Sequence, residues 1–173
     1  MLPSGTFVLG GAASGKSQWA ENFILSNNLD AIYLATGQIG DSETNSRVAI
    51  HRARRDARWR TIEEPLDLAP TLAGLTSKDA VLIDCATMWL SNQMMADAEI
   101  SLVQASLLDA LRRCAAPWII VSNEVGYGIV PDNALARRFR EFQGRLNIAL
   151  AAEADLAVQV IAGLPLVLKG HLP

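Results

Sequence analysis

Residues 10–17 combine glycines, a lysine and a hydroxyl side chain at a spacing suited to binding phosphate, and we call them the phosphate loop. They read GGAASGKS, so Gly10, Gly15, Lys16 and Ser17 fit the pattern G-x-x-x-x-G-K-[ST]. Glycines let successive backbone N–H groups turn inward onto phosphate oxygens, and a following helix adds the positive end of its dipole. Lys16 is therefore predicted to contact the β- and γ-phosphates of a nucleotide, and the Ser17 hydroxyl to bind Mg²⁺.

The flanks of the phosphate loop favour this interpretation over its alternative, a glycine-rich turn with an incidental lysine. Residues 7–9 are apolar throughout, as in a buried strand, and residues 18–25 carry apolar side chains at helical spacing. A strand before the loop and a helix after it are the context that the motif requires.

An acid at the end of another apolar run is the candidate partner of the phosphate loop. Asp84 follows Val-Leu-Ile, and nucleotide-binding proteins with a phosphate loop place at such a strand end the carboxylate that holds Mg²⁺, directly or through water. The alternative is an acid that only begins the next loop. The sequence thus predicts Ser17 and Asp84 as the residues that bind the metal ion.

A basic segment carries one of the two histidines. Six of the twelve arginines lie between residues 47 and 60, and Arg47, His51 and Arg55 recur every four residues, so they would form one stripe on a helix. Nearby positive charge lowers the pKa of an imidazole and favours its neutral, nucleophilic form. The arginines would also stabilise negative charge that develops on a phosphorus centre. The alternative is a solvated, charged helix face.

Composition predicts one compact domain over residues 1–173. Half of the residues are hydrophobic, 19% are charged and the net charge is −3. The chain shows neither a signal-peptide pattern nor an apolar run long enough to span a membrane, so we expect a cytoplasmic protein. The basic segment is short and lacks an aromatic series, so nucleic acid is not an expected partner. Cys85 and Cys114 are expected to be free thiols.

The predicted strands are apolar throughout and alternate with helices, which predicts an α/β fold whose mostly parallel sheet is covered on both faces. After the first strand and helix, strands are expected at 31–35, 59–63, 80–85, 118–122 and 156–161, with a short antiparallel edge strand at 166–169. Helices are expected over 43–58 after an N-cap at Asp41 or Ser42, over 65–75, 87–95 and 101–114, and from a cap at Asp132 to about 154.

Five unusual stretches each follow a predicted strand, namely GGAASGKS, ATGQ, DCATMW, SNEVGYG and AGLP. The carboxyl ends of parallel strands share one edge of the sheet, and ligands bind there. The five stretches are therefore expected to converge. Glu124, in SNEVGYG, has two candidate roles, which are to position a substrate hydroxyl or to organise its own loop.

The order of these motifs resembles one enzyme family, the bifunctional adenosylcobinamide kinase/adenosylcobinamide-phosphate guanylyltransferases of cobalamin biosynthesis. The resemblance covers nearly the whole chain and rests on GGAASGKS, ATGQ, RVAIHRARRDARWRTIEEP, DCATMWLSNQM and SNEVGYGIVPDNALARRFR. It implies phosphorylation of the corrinoid by ATP or GTP, then transfer of GMP from GTP through a GMP-histidine phosphoramidate. It also implies a RecA-like, three-layer P-loop fold, Mg²⁺, and a trimer of identical subunits.

The resemblance assigns roles to individual residues. It makes His51 the nucleophile, because His51 lies four residues after Arg47 and shortly before the W-x-T-x-E segment that begins at Trp59. Lys16 is the second catalytic residue. Nucleotide binding is implied for Gly10, Gly11, Ala12, Ala13, Ser14, Gly15, Lys16, Ser17, Ala35, Thr36, Gly37, Arg52, Arg55, Glu63 and Asp84. Ala13 departs from the family pattern GGARSGKS, so any role of that arginine is absent here or supplied elsewhere.

Two other functions fit the same motifs. One is a single-function P-loop kinase, which would form no covalent GMP adduct. The other is a nucleotide-dependent switch or assembly module, since phosphate-loop folds host many functions. Such a module would associate with partners in a nucleotide-dependent way without consuming a corrinoid.

Overall fold

The computed structural model describes residues 1–37 and 57–173, which form seven strands and five helices. The strands are β1 (Gly5–Gly10), β2 (Asp30–Ala35), β3 (Trp59–Glu63), β4 (Asp79–Asp84), β5 (Trp118–Asn123), β6 (Leu156–Ile161) and β7 (Leu164–Lys169). The helices are α1 (Lys16–Leu25), α2 (Ala69–Ala73), α3 (Ala86–Met95), α4 (Ile100–Arg113) and α5 (Ala134–Glu153).

The strands form one sheet in the order β3-β2-β4-β5-β1-β6-β7. Neighbouring strands run parallel except for β6 and β7, which form an antiparallel hairpin. The predicted α/β fold is confirmed, and so is the antiparallel edge strand at the C-terminus, which is two residues longer than expected. β1 lies inside the sheet between β5 and β6, so the phosphate loop leaves the middle of the sheet edge.

Both faces of the five inner strands are buried, as the continuous apolar strands predicted, whereas the edge strands β3 and β7 are largely exposed. In β4, Val81 and Ile83 belong to one hydrophobic core, whereas Ala80 and Leu82 belong to a second, and all four side chains are fully buried. Helix α1 packs on one face, against β1, β4, β5 and β6, while α3 and α5 contact β5 and β1 from the other face. The result is the expected three-layer arrangement.

Two helix predictions need correction. The helix expected over 65–75 is limited to Ala69–Ala73, because the Glu64 carboxylate accepts hydrogen bonds from the N–H groups of Leu66 and Asp67 and holds that stretch as a loop. The long helix after β5 is capped by Asn133, whose Oδ1 accepts from the Ala136 N–H at 2.7 Å, and not by Asp132.

The helix predicted over 43–58 lies outside the described residues except at its end. Ala57 and Arg58, which are described, form a turn that leads into β3. Within residues 1–37 and 57–173, no helix combines the length and the apolar character needed to cross a membrane.

Candidate active site at the carboxyl edge of the sheet

The loops that follow β1, β5 and β6 meet at one edge, as expected from the parallel topology. The Glu124 N–H, just after β5, donates to the Gly10 carbonyl at 3.0 Å. On the other side, the Gly163 N–H in the β6–β7 turn donates to the Ser14 carbonyl at 2.8 Å. The phosphate loop is therefore held between two neighbouring loops.

Lys16 begins α1 and turns back over the loop that precedes it. Its Nζ donates to the Gly11 carbonyl at 3.0 Å, and the residue is only 9% exposed. Gly15, immediately before it, has a φ of 91°, which is the left-handed backbone that lets the loop close onto the helix. Ser17 follows as a half-buried residue in the first turn of α1.

The charge on Lys16 is partly withdrawn from water. Burial lowers the pKa of its ammonium group below the ordinary value, whereas the nearby Asp84 carboxylate acts in the opposite direction. A buried cation that is not fully neutralised attracts an anion, and nucleotide phosphates would supply one. The electrostatics thus fit the phosphate contact that the motif predicts for Lys16.

Two further residues of the phosphate loop have unusual surroundings. Ala13 is exposed, and its φ of 55° is a left-handed backbone conformation. The loop therefore keeps its shape at this point through its backbone, without a long side chain. The Ser14 hydroxyl is buried over Gly10 and has no hydrogen-bond partner among residues 1–37 and 57–173. It is therefore a candidate donor to a phosphate oxygen.

Any side chain at position 15 is predicted to strain the loop. Gly15 has a left-handed backbone, and a Cβ atom there would lie 2.9 Å from the Cα of Gly163. Gly15→Ala should lower the free energy of unfolding by about 1 to 3 kcal/mol and weaken nucleotide binding, as measured by denaturant unfolding and nucleotide titration. Gly11→Ala is the matched control for the free energy of unfolding, because its Cβ would meet nothing within 4 Å among residues 1–37 and 57–173. Equal effects of the two substitutions would contradict this description of the loop.

Asp84 ends β4 beside the phosphate loop, as predicted. Its Oδ2 accepts a hydrogen bond from the Tyr33 hydroxyl at 2.8 Å, which orients a carboxylate that is only half buried. Neighbouring strands bring two other predicted residues level with it, since Ala35 pairs with Asp84 on one side and with Glu63 on the other. Glu63 is exposed and lies on the edge strand β3.

Thr36 lies at the same edge but is fully buried, and its side chain is used within the protein. Its Oγ1 donates to the Cys85 carbonyl at 2.8 Å and accepts from the Cys85 N–H at 2.8 Å. The Asn92 side chain donates to the Thr36 carbonyl at 2.7 Å. These bonds fasten the end of β2 to the end of β4 and to α3, so Thr36 positions the loop that it begins. A direct contact of Thr36 with nucleotide stays a prediction.

The residues at this edge fit a Mg²⁺ ion that is shared with nucleotide phosphates. Mg²⁺ is commonly held by one or two protein oxygens together with phosphate oxygens and water, and Ser17 and Asp84 offer a hydroxyl and a carboxylate. Among residues 1–37 and 57–173, no group of three or more His, Cys, Asp or Glu side chains is placed to hold a metal ion. An ion bound jointly with a nucleotide does not need such a group.

Cys85, directly after Asp84, is expected to be unreactive. Burial, with the neighbouring Asp84 charge, raises the pKa of the Cys85 thiol to about 12, so the thiolate needed for alkylation is scarce at neutral pH. In a Cys114→Ser variant, maleimide at about pH 8, near the ordinary thiol pKa, should label Cys85 only after denaturation. Rapid labelling of the folded variant, followed by mass spectrometry, would contradict this expectation.

A buried polar network behind the loop after β5 was missed in the sequence. Gln143 and Asn147 are spaced four residues apart on α5 and both are buried. The Ser122 hydroxyl donates to Asn147 Oδ1 at 2.6 Å, and Gln143 Nε2 donates to the Ser122 hydroxyl at 2.9 Å. The sequence signal for this network was the pair of amide side chains on the inward face of an amphipathic helix, because buried amides need hydrogen-bond partners. The network anchors the start of the loop that contacts Gly10.

Glu124 organises its own loop. Its Oε1 accepts a hydrogen bond from the Gly126 N–H, and the Gly126 carbonyl accepts one from Arg140 of α5. The contact supports the second of the two roles considered for Glu124. A contact of Glu124 with substrate stays a prediction.

The predicted nucleophile and two predicted nucleotide contacts cannot be placed at this edge. His51, Arg52 and Arg55 lie outside the described residues, together with Arg47 of the same stripe. The described site therefore comprises the phosphate loop, Asp84 and the neighbouring ends of β2, β3, β5 and β6.

Comparison with known proteins identifies close relatives over nearly the full length. The family model described as cobinamide kinase / cobinamide phosphate guanyltransferase matches residues 6–168. The bifunctional adenosylcobalamin biosynthesis protein CobP of Pseudomonas aeruginosa is 43% identical over 167 residues, which are 95% of this chain and 96% of that protein. The bifunctional adenosylcobalamin biosynthesis protein CobU of Salmonella typhimurium is 39% identical over 183 residues, with 94% of this chain and 98% of that protein covered.

Solved structures support the fold. An ATPase from the type III secretion system of pathogenic bacteria superimposes with a TM-score of 0.55 and 14% sequence identity, over 95% of this chain and 57% of that chain. At this identity the likeness shows the fold alone, which is the expected RecA-like P-loop arrangement.

Proposed function

The chain belongs to the cobinamide kinase / cobinamide phosphate guanyltransferase family, and from that membership we propose how its residues divide the two reactions. The enzyme phosphorylates cobinamide and guanylylates cobinamide phosphate in adenosylcobalamin biosynthesis, with nucleoside triphosphates as substrates. The observation that carries the proposal is the buried ammonium group of Lys16, which lies within the phosphate loop and close to Asp84.

In the kinase step, the phosphate loop binds the triphosphate of ATP or GTP. Its backbone N–H groups and the Lys16 charge stabilise the negative charge on the transferred phosphoryl group, while the unpaired Ser14 hydroxyl adds a hydrogen bond. The aminopropanol hydroxyl of adenosylcobinamide attacks the γ-phosphorus, and the nucleoside diphosphate leaves. Phosphoryl transfer depends chiefly on positioning and charge stabilisation, so a dedicated base is not needed.

In the guanylyl transfer step, neutral His51 attacks the α-phosphorus of GTP. A P–N bond forms and the P–O bond to pyrophosphate breaks. The positive charges of Lys16, Arg52 and Arg55 stabilise the departing pyrophosphate. The phosphate of adenosylcobinamide phosphate then attacks the same phosphorus and displaces the imidazole. This step yields adenosylcobinamide-GDP and regenerates the neutral histidine.

Mg²⁺ bound between Ser17, Asp84 and the phosphates would neutralise negative charge in both steps. The hydrogen bond from Tyr33 fixes the orientation of the Asp84 carboxylate. Glu63, Gly37 and Ala35 are proposed to contact the nucleotide outside its phosphates, which the pairing of Ala35 with both Glu63 and Asp84 supports.

We also propose that the enzyme is a homotrimer in the cytoplasm. Three large apolar side chains of the edge strand β7 support self-association, since Leu164, Leu166 and Leu168 are 72%, 53% and 53% exposed. An exposed, apolar edge strand is usually covered in the working protein.

The direct test follows the corrinoid through both steps. Purified protein is incubated with adenosylcobinamide and ATP, then with GTP, and the corrinoid products are separated by chromatography. The phosphate should appear first and the GDP derivative second, with one pyrophosphate released for each GDP derivative. Phosphorylation alone would indicate a single-function kinase. Nucleotide-dependent association with an unchanged corrinoid would indicate a switch or assembly module.

A further inference from the structure

A groove of about 460 Å³ lies between α5 and the loop that follows β5. One wall is formed by Gly126, Val130 and Pro131 of the loop, and the other by Arg140, Gly144 and Ile148 of α5. None of the phosphate contacts described above uses this groove.

Neither the backbone conformation nor the packing of the described residues requires a glycine at position 144. It lies in the middle of α5, where glycine destabilises a helix by about 1 kcal/mol relative to alanine. Its φ is not positive, it is exposed, and a Cβ atom would meet nothing within 4 Å among residues 1–37 and 57–173. Neither backbone conformation nor internal packing accounts for it, so the missing side chain leaves room for a group from outside the chain.

The rim of the groove is apolar and exposed. Ile148 on α5 is 72% exposed, and Val130 on the loop is 67% exposed. Large apolar side chains grouped around a concavity are typical of binding surfaces.

Arginines of α5 fasten the loop and so shape the groove. Arg137 donates through Nη1 to the carbonyls of Pro131 and Asp132 at 2.9 and 2.7 Å, and Arg140 donates to the Gly126 carbonyl. A guanidinium group carries five N–H donors, so these bonds leave others on each arginine for a ligand. The groove therefore combines apolar walls with hydrogen-bond donors.

One end of the groove is tied to the phosphate loop. Gly126 lies two residues after Glu124, so the two Cα atoms are within about 7 Å of each other. The Glu124 N–H donates to the Gly10 carbonyl at the start of the phosphate loop. The Gly126 end of the groove thus lies near the start of the phosphate loop.

We propose that this groove binds the corrin ring edge of adenosylcobinamide and directs its aminopropanol arm toward the phosphate loop. The inference rests on the proposed function and adds the acceptor subsite to it. The corrin periphery carries methyl groups and uncharged amide arms, which match apolar walls and arginine N–H donors respectively. The groove holds an edge of the ring and leaves the rest of this large ligand outside.

Two other cavities suit the acceptor less well. A cavity of about 630 Å³ is lined by Leu2, Ser4 and Pro117, which precede β1 and β5, so it lies at the edge of the sheet opposite the phosphate loop. A cavity of about 290 Å³ beside Trp89 is smaller and lies among α2, α3 and α4.

The test fills the groove without touching the nucleotide site. Gly144→Leu should raise the KM for adenosylcobinamide by about tenfold or more. The new leucine side chain would fill the space above Gly144 that the corrin edge occupies, and so would displace it. The rate at which GTP alone forms the covalent GMP adduct should stay within about twofold of wild type, which also shows that the variant is folded. Ala105→Leu, which places the same leucine side chain on the exposed face of α4, is the matched control. Ile148→Ser removes an apolar wall and should raise the same KM with the adduct rate unchanged.

Three outcomes distinguish the alternatives. An unchanged KM in both Gly144→Leu and Ile148→Ser would overturn the proposal. A raised KM together with dissociation of subunits in light scattering would also overturn it, because a second copy of the chain would then occupy the groove. A wild-type protein that phosphorylates no corrinoid would instead contradict the proposed function itself.

Discussion

Replacing His51 by alanine is expected to reduce transfer of GMP to adenosylcobinamide phosphate by about 10⁴-fold or more, as loss of a covalent nucleophile commonly does. Phosphorylation of adenosylcobinamide should stay within a few-fold of wild type, because that step needs the phosphate loop and not the imidazole. The two rates are measured separately, with adenosylcobinamide and ATP for the first reaction and with adenosylcobinamide phosphate and GTP for the second.

The other histidine of the chain provides the control. His171 is exposed in the C-terminal tail, so His171→Ala should leave both rates unchanged. A His51→Ala protein that transfers GMP at the wild-type rate would contradict the assigned nucleophile. Equal loss of both reactions would indicate a structural role for His51.

Replacing Lys16 by alanine is expected to reduce kcat in both reactions by about 10²- to 10³-fold, the effect typical of removing one preorganised group that stabilises transition-state charge. Lys16 is buried and bonded to the Gly11 carbonyl, so its charge is already held within the loop before nucleotide binds. Both reactions should suffer, because each one breaks a bond within the same bound triphosphate.

The control for Lys16 is an exposed lysine on the turn before β4. Lys78→Ala removes the same charge far from the phosphate loop and should leave both rates within about twofold of wild type. If Lys16→Ala impaired only the kinase step, GTP would have to be bound elsewhere during guanylyl transfer. That result would contradict a single triphosphate site for the two reactions.

The sheet and its functional edge were predictable because strong local signals agreed with the topology. Strands such as β4 and β5 are apolar throughout, and this pattern requires burial on both faces. The phosphate motif identified the sheet edge at which ligands bind. Because the strands are parallel, Asp84 and the loop after β5 were then expected at the same edge. The fold prediction also included a short antiparallel edge strand at the C-terminus, which is β7.

The remaining details depended on side-chain contacts that periodicity does not reveal. Asn133, not Asp132, caps α5, because adjacent Asp and Asn residues carry equivalent acceptors and the backbone path selects one. The buried bonds among Ser122, Gln143 and Asn147 join residues more than twenty positions apart in sequence. No local pattern identifies such partners.

Ala13 shows how a departure from a family pattern is accommodated. The loop places this residue on a left-handed backbone with an exposed side chain, so the cradle of N–H groups forms without an arginine. The basic segment between residues 47 and 60 is the candidate source of the missing charge.

The central claim, a GMP-His51 intermediate formed from a triphosphate in the phosphate loop, is tested most directly by trapping the adduct. The protein is incubated with GTP labelled at the α-phosphorus and without corrinoid, then digested and mapped by mass spectrometry. We predict one GMP on the peptide that contains His51, in a linkage that is labile to acid and stable to base. Label on another peptide, or undiminished label in His51→Ala, would contradict the account.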